Sequence, residues 1–366
     1  MSNESLSNRD WSRIVERLGG APALESGARE SKAFLRPREV ASATDMLRLI
    51  LCYCLSAMSL RSTAAWAGAI KLANISDVGL IYRLRQSATW LEALVAKALQ
   101  VGSPASTQGR LIRILDGTNV AKAGSKAKKG NKVWRVHSAF DLPMERFGHF
   151  ELTDEKGAER LDRTPVVKGE IRLADRGYMH PDAIANVIEA GGDIVVRAGW
   201  KSTIWLDGKG GRVDLIAALR EASPQGRLDR PIFVKRKNGQ QFALRLVAVK
   251  KSPEAAEKAR RQARRAAQQE GYTVSQATLE AADWVILVTS LSADAYPAND
   301  ILALYRLRWR IEIAFKRLKS LIGLAAPPGF RENSAKPWVL THLLMILLLE
   351  PFVDELEDSP HWPLAA

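Results

Sequence analysis

Immediately after Gly102-Ser-Pro the hydrophobic period of this chain changes from three-to-four residues to two, and few architectures accommodate that change. Between residues 41 and 99 apolar residues recur at helical spacing, most clearly at Met46, Leu47, Leu49, Ile50, Tyr53 and Leu55. From Arg110 the pattern alternates. Residues 110–116 read as a buried strand ending on Asp116, with further strands over 132–140 and 147–153. Residues 170–175 form a fourth strand, again ending on an aspartate, and 181–190 with Gly191-Gly192 behind them read as a helix leading into a strand over 193–197. Three meandering strands followed by strand and helix alternation predict an α/β sheet.

The flanking segments differ in character. Residues 1–35 are polar and carry glycine and serine, which predicts a flexible N-terminal arm. Residues 36–105 predict a helical domain, in which Ser76 caps the second of two short helices joined by a tight turn. With Arg83 and Arg85 on that second helix, the pair suits a helix-turn-helix DNA reader, and a plain helical bundle is the alternative. The sheet domain begins at 106, is interrupted over 201–283 by a β-rich insertion with a Lys237-Asn-Gly hairpin turn, and resumes over 284–330. The insertion also holds a helix-compatible basic stretch, 253–270. A helical tail, 331–366, follows and is a candidate for dimer contacts.

Charge and cysteine usage narrow the function classes. Lys and Arg number 54 against 40 Asp and Glu, a net +14 that suits a polyanionic partner. The two cysteines, Cys52 and Cys54, cannot staple a chain of 366 residues, which predicts a reducing, cytoplasmic setting. The apolar runs 47–58 and 339–349 fall short of the roughly 20 residues that span a bilayer, so no membrane association is expected. No phosphate-cradling glycine loop is present, and no nucleotide cofactor is expected.

The chemistry-bearing motifs are Asp116-Gly-Thr118 and Asp175-Arg-Gly-Tyr178. A lone aspartate at a strand end is weak evidence. If the two strands are neighbours, however, their carboxylates meet at one edge of the sheet. At ~4 Å two carboxylates repel by about 4 kcal/mol at an effective dielectric near 20, so such a pair calls for a cation, and hard oxygen donors suit Mg²⁺ or Mn²⁺. Residues 299–322 predict a long helix, on which Tyr305, Arg308, Glu312 and Lys319 fall within an arc of about 60°. Ion pairs of Glu312 with Arg308 and Lys316 on an exposed face are the simpler alternative.

Tyr305-x2-Arg308-x3-Glu312-x6-Lys319 is similar to the YREK signature of family-four insertion-sequence transposases, the hairpin-forming DDE transposases of bacteria, and the two Asp motifs resemble that family's first and second catalytic motifs. The resemblance implies an RNase H-like catalytic domain in which Asp116, Asp175 and Glu312 hold two Mg²⁺ ions, with Mn²⁺ able to substitute. It implies nicking, hairpin formation, hairpin opening and joining of 3′ ends by two-metal phosphoryl transfer. Double-stranded DNA is then the partner, as terminal inverted repeats and as target, with a homodimer in the synaptic complex. Tyr305, Arg308 and Lys319 are assigned to the backbone near the cleaved end, with Lys316 beside them. Lys126, Lys128 and Lys129 form a basic loop suited to phosphates. Trp284 corresponds to a residue that stacks on a flipped base, although a Trp opening an apolar strand also suits a core. Two rivals stand beside this reading: a non-catalytic terminal-repeat binder, and a metal-dependent nuclease that does not join ends.

Overall fold

The computed structural model describes residues 11–56, 58–100, 109–122, 133–142, 146–308, 327 and 331–357. Its centre is one mixed sheet of eight strands in the order β3-β2-β1-β4-β5-β8-β7-β6. Strands β1 (Ile112–Ala121), β2 (Val133–Asp141) and β3 (Arg146–Thr153) form the antiparallel meander. β4 (Ile171–Ala174) pairs parallel with β1, and β5 (Asp193–Arg197) pairs parallel with β4 through a crossover helix, residues Pro181–Glu189. β6 (Arg227–Lys235), β7 (Gln241–Lys250) and β8 (Trp284–Thr289) extend the same sheet antiparallel beyond β5. The strands of segment 201–283, expected as an insertion in the sheet domain, extend this same sheet.

Both faces of the sheet are covered, which explains why its central strands read as apolar runs. Ile114, Ile171, Leu173, Val195, Val247 and Leu287 face one core, shared with the N-terminal helices. Leu115, Ala174, Ile194, Val196, Leu246 and Val288 face a second, closed by the crossover helix and by a helix at Leu215–Glu221.

Beneath β1 and β4 lies a buried ionic network. Arg172 and Glu170 are each 0% exposed. Arg172 donates from Nε to Glu170 Oε1 at 2.6 Å and to the carbonyls of Leu161, Thr164 and Pro165. Arg113 reaches Glu170 Oε2 at 3.0 Å and forks onto both Asp141 oxygens at 2.6 and 3.0 Å. Two guanidinium groups and two carboxylates thus tie β1, β2 and β4 together where solvent cannot reach.

The N-terminal segment differs from the expected arm. Within its described part, residues 11–17 are helical (α1) and Gly20–Glu30 form α2. Leu18, Leu24, Ala28, Ala33 and Phe34 are buried, so burial of a thin apolar stripe orders a segment that is polar on average. Four helices follow: α3 (Ala43–Leu55), α4 (Leu60–Ala69), α5 (Asp77–Gln86) and α6 (Ala88–Gln100). Ser76 caps α5 as its sequence predicts, its side chain accepting from Gly79 N–H at 3.0 Å.

The tail also differs. Residues Glu332–Glu357 form one helix whose Ala335, Trp338, Val339, Leu343, Leu344 and Leu347 sit in the first core, against α3, α5 and α6. Arg85 Nε donates to Ser334 Oγ at 2.9 Å, and Lys336 pairs with Glu92 at 2.5 Å. Over its described apolar face this helix packs against its own chain. Among the described residues no helix is long and apolar enough to cross a membrane.

Candidate active site

The two motif aspartates meet because of a mismatch between strand lengths. β1 pairs with β4 only through Ile114–Leu173, while its antiparallel pairing with β2 runs on from Asp116–Ser138 to Ala121–Val133. Asp116 therefore stands within a strand, contrary to the expected strand end. Beyond Leu173 the chain turns away at Asp175, whose side chain accepts from Gly177 N–H at 2.8 Å and caps a single 3₁₀ turn, Arg176–Tyr178. The parallel register, carried two residues further, sets Asp116 and Asp175 side by side where the edge of β1 is open.

The closeness of the pair shapes the titration of Asp116. Burial first, and then the charge of Asp175, push the Asp116 carboxyl up to about 6, opposed by Arg308 and by the Gly117 N–H. Tyr178 is 2% exposed, and its phenol is driven upward by burial and by the surrounding Glu159, Asp116 and Asp175. It is a neutral hydroxyl at any working pH.

Glu159 is a third carboxylate at this place, one the motifs do not contain. It lies in the connection between β3 and β4. A Cβ on Gly117 would stand 2.6 Å from Glu159 Oε1, and one on Gly177 would collide with Glu159 Oε2 while lying 3.1 Å from Asp175 Oδ1. The glycine of each Asp motif thus makes room for the same carboxylate. Burial and Asp175 raise the Glu159 carboxyl, and Arg135, anchored to Gly157 O at 2.6 Å, opposes them. Loop sequence carries no period, and the spacing of either glycine from its aspartate is the only signal that could have pointed here.

Tyr305 and Arg308 reach the same place from the helix Ala298–Leu307, which Arg308 caps. The Arg308 guanidinium lies 5.7 Å from the Tyr305 ring centroid. Burial raises the Tyr305 phenol, while Arg308 and Arg197 oppose it and Asp175 adds to it. Glu312, Lys316 and Lys319 fall outside the described residues, as do Lys126, Lys128 and Lys129. Among the described residues no three acids, histidines or cysteines close into a metal-holding group. The donor chemistry of Asp116 and Asp175 nevertheless fits a hard divalent cation: two facing carboxylates, one of them raised by burial and by its neighbour, gain most from a cation between them.

One expected DNA contact is placed differently. Trp284 is 5% exposed and lies with Ile286 and Val288 in the second core, paired with Lys250 across β7 and β8. An indole enclosed on both faces has none to offer a flipped base, so that role is withdrawn. Trp284→Phe is expected to cost about 1–3 kcal/mol, lowering the melting temperature and slowing every reaction step by the same factor. A selective loss of one product, at an unchanged melting temperature, would restore the stacking role. Arg85 is bonded to Ser334, and the Arg83 guanidinium lies 5.4 Å from the Phe34 ring centroid. Both arginines are half-buried, and beside them α5 exposes Val78 and Tyr82.

Comparison with known proteins agrees with this geometry. A family model described as Transposase DDE domain matches residues 107–348. The chain is 37% identical over 363 residues, 97% of each chain, to the InsL protein of insertion sequence element IS186A from Escherichia coli (strain K12). It is also 37% identical over 364 residues, again 97% of each, to the transposase for insertion sequence element IS421 from Escherichia coli.

Proposed function

This chain belongs to the DDE transposases of insertion sequences, enzymes that cleave and transfer DNA strands, and from that premise we propose that it binds the terminal inverted repeats of its element, excises the element through nick, hairpin and hairpin opening, and joins the 3′ ends to a target. The observation that carries the reading is the convergence of Asp116, Asp175, Tyr305 and Arg308 on one open strand edge. Asp116, Asp175 and Glu312 would hold two divalent ions, Mg²⁺ or in its place Mn²⁺. Held by these carboxylates, divalent ions would supply Lewis-acid activation of a water or 3′-hydroxyl and charge stabilisation at the leaving oxygen.

The remaining tasks fall to the chain. Arg308, already acting on the acid pair, neutralises a phosphate brought against it, and its planar fork can hold two oxygens at once. Tyr305 offers a neutral hydroxyl as hydrogen-bond donor. Lys316 and Lys319 extend this grip along the strand, Lys126, Lys128 and Lys129 supply a second basic contact, and the helices α4 and α5 engage the repeat. The RNase H-like division of the sheet, with 201–283 as its insertion, and a homodimer joining two ends complete the reading.

The experiment supplies the DNA flanking the gene as linear substrate with Mg²⁺ or Mn²⁺ and a supercoiled target. Nicked, hairpin and double-strand-cut products, followed by joined ends in the target, are expected in that order. Cleavage without joining would replace the transposase by a nuclease, and binding without cleavage would replace it by a terminal-repeat binder.

A further inference from the structure

Between β7 and β8 the chain leaves the sheet and returns to the same point: Lys250 faces Trp284, and Lys251 N–H donates to Asp283 O at 2.8 Å. Because β8 runs antiparallel to β5, and β5 parallel to β4, this excursion departs from the end of the sheet that carries Asp175. Most of it is a helix of 17 residues, Pro253–Gln269, braced by a short helix at Gln276–Ala282. At its root lies Lys251, which burial and Arg197 push down to about 8. Arg197, at the end of β5, stands between this root and Tyr305, so the root lies at the same end of the sheet as the acid pair, three strands from β4.

The long helix touches the protein very lightly. Only Ala256 and Ala267 are buried. Arg260 is occupied inward by Asp283 Oδ1 at 2.5 Å and by Glu257 Oε2 at 2.9 Å. Lys258, Arg261 and Arg265 are exposed. At about 100° per residue those three fall within an arc of about 60°, and the arc points away from the side on which Ala256 and Ala267 lie. Gln262 and Gln269 border it, and the exposed Glu254 occupies the same arc one turn before Lys258, so the cations run from Lys258 onward. A helix that buries two methyl groups and turns a row of cations outward is not shaped by the core it leaves. The row advances about 10 Å along the helix, the length of roughly three phosphates on one strand.

We propose that this helix is a DNA arm, whose Lys258, Arg261 and Arg265 dock on the phosphates of the duplex beside the segment held at Asp116 and Asp175. The inference rests on the reading of the chain as a transposase. Charge complementarity selects the partner: cations in a row at phosphate spacing, without an apolar seam beside them, fit a uniform polyanion better than a folded protein surface.

The test combines Lys258→Gln, Arg261→Gln and Arg265→Gln in the full chain and measures binding to a 40-base-pair duplex from the element end across a range of salt. Because the three side chains are exposed, the melting curve should match the parent's. The slope of log affinity against log salt should become shallower by about 2–3, at ~0.9 per phosphate lost, and the affinity at moderate salt should fall at least about tenfold. An unchanged slope overturns the arm. Poly-glutamate is titrated beside the duplex as an acidic-protein probe, and loss of its binding in the triple variant with duplex affinity retained also overturns the arm, in favour of an acidic protein partner. Failure of the parent itself to bind duplex would strike the transposase reading instead, a result distinguishable from the other two.

Discussion

Asp116→Asn is expected to abolish strand cleavage, by about a thousandfold or more, and at the same time to make the protein more stable. The first half follows from the role of the carboxylate: an amide cannot hold a divalent ion as a carboxylate does, while end binding depends on other residues and should persist. The second half follows from the titration of Asp116 in the folded chain, raised to about 6 by burial and by Asp175. A raised carboxyl means that the folded state binds the proton more tightly than the unfolded state. Stability therefore falls as pH rises from about 4 to about 6, and the full cost remains at neutral pH, on the order of 1–3 kcal/mol after allowance for solvent. Asparagine carries no such charge. With chelator present, the variant should melt a few degrees above the parent at pH 7.5, and the difference should vanish near pH 4. A variant that melts lower at pH 7.5, or one that still cuts, would remove Asp116 from the site. Asp175→Asn should be equally inactive and should return the Asp116 titration toward its ordinary range.

Glu170→Ala should have the largest effect on stability without touching the site. The change leaves the buried Arg172 with carbonyl partners alone and leaves Arg113 with Asp141 and the Pro165 carbonyl. Removing one partner of a buried ionic network typically costs about 3–5 kcal/mol, a large share of the ~5–15 kcal/mol that holds a domain folded. Urea unfolding should show a midpoint lowered accordingly, and expression at 37 °C should yield mostly insoluble protein. Glu280→Ala removes an equally short pair with Arg220, but on the surface, and should leave the midpoint nearly unchanged. Equal effects of the two substitutions would show that the network under β1 and β4 carries no special weight.

Much of the sheet was legible because alternation and turn residues are local signals. Strand 193–197, the hairpin turn at Lys237-Asn-Gly, the Ser76 cap and the basic helix after Pro253 all stand where their sequence places them. What the sequence could not show depends on partners far away in the chain. Arg172 in Ile-Arg-Leu looks like an outward position of a half-exposed strand, and only the approach of Glu170 and the 161–165 turn makes it a buried one. Trp284 begins an apolar run in either a core or a binding face, and the choice is made by the helices packed over the sheet. Glu159 has no periodic context at all. The acid pair itself was readable as two motifs, but its closeness is a property of β4 lying next to β1.

The helix Glu332–Glu357 has a consequence for the making of the protein. Leu47 and Leu344 share a core although nearly the whole catalytic segment separates them in the chain. At a synthesis rate of ~5–20 residues per second, the N-terminal helices wait roughly tens of seconds for the element that covers them. During that interval their apolar side is open to chaperones or to neighbouring nascent chains. A polypeptide interrupted before residue 332 would carry α3, α5 and α6 without their cover, so premature termination yields an unfinished helical layer.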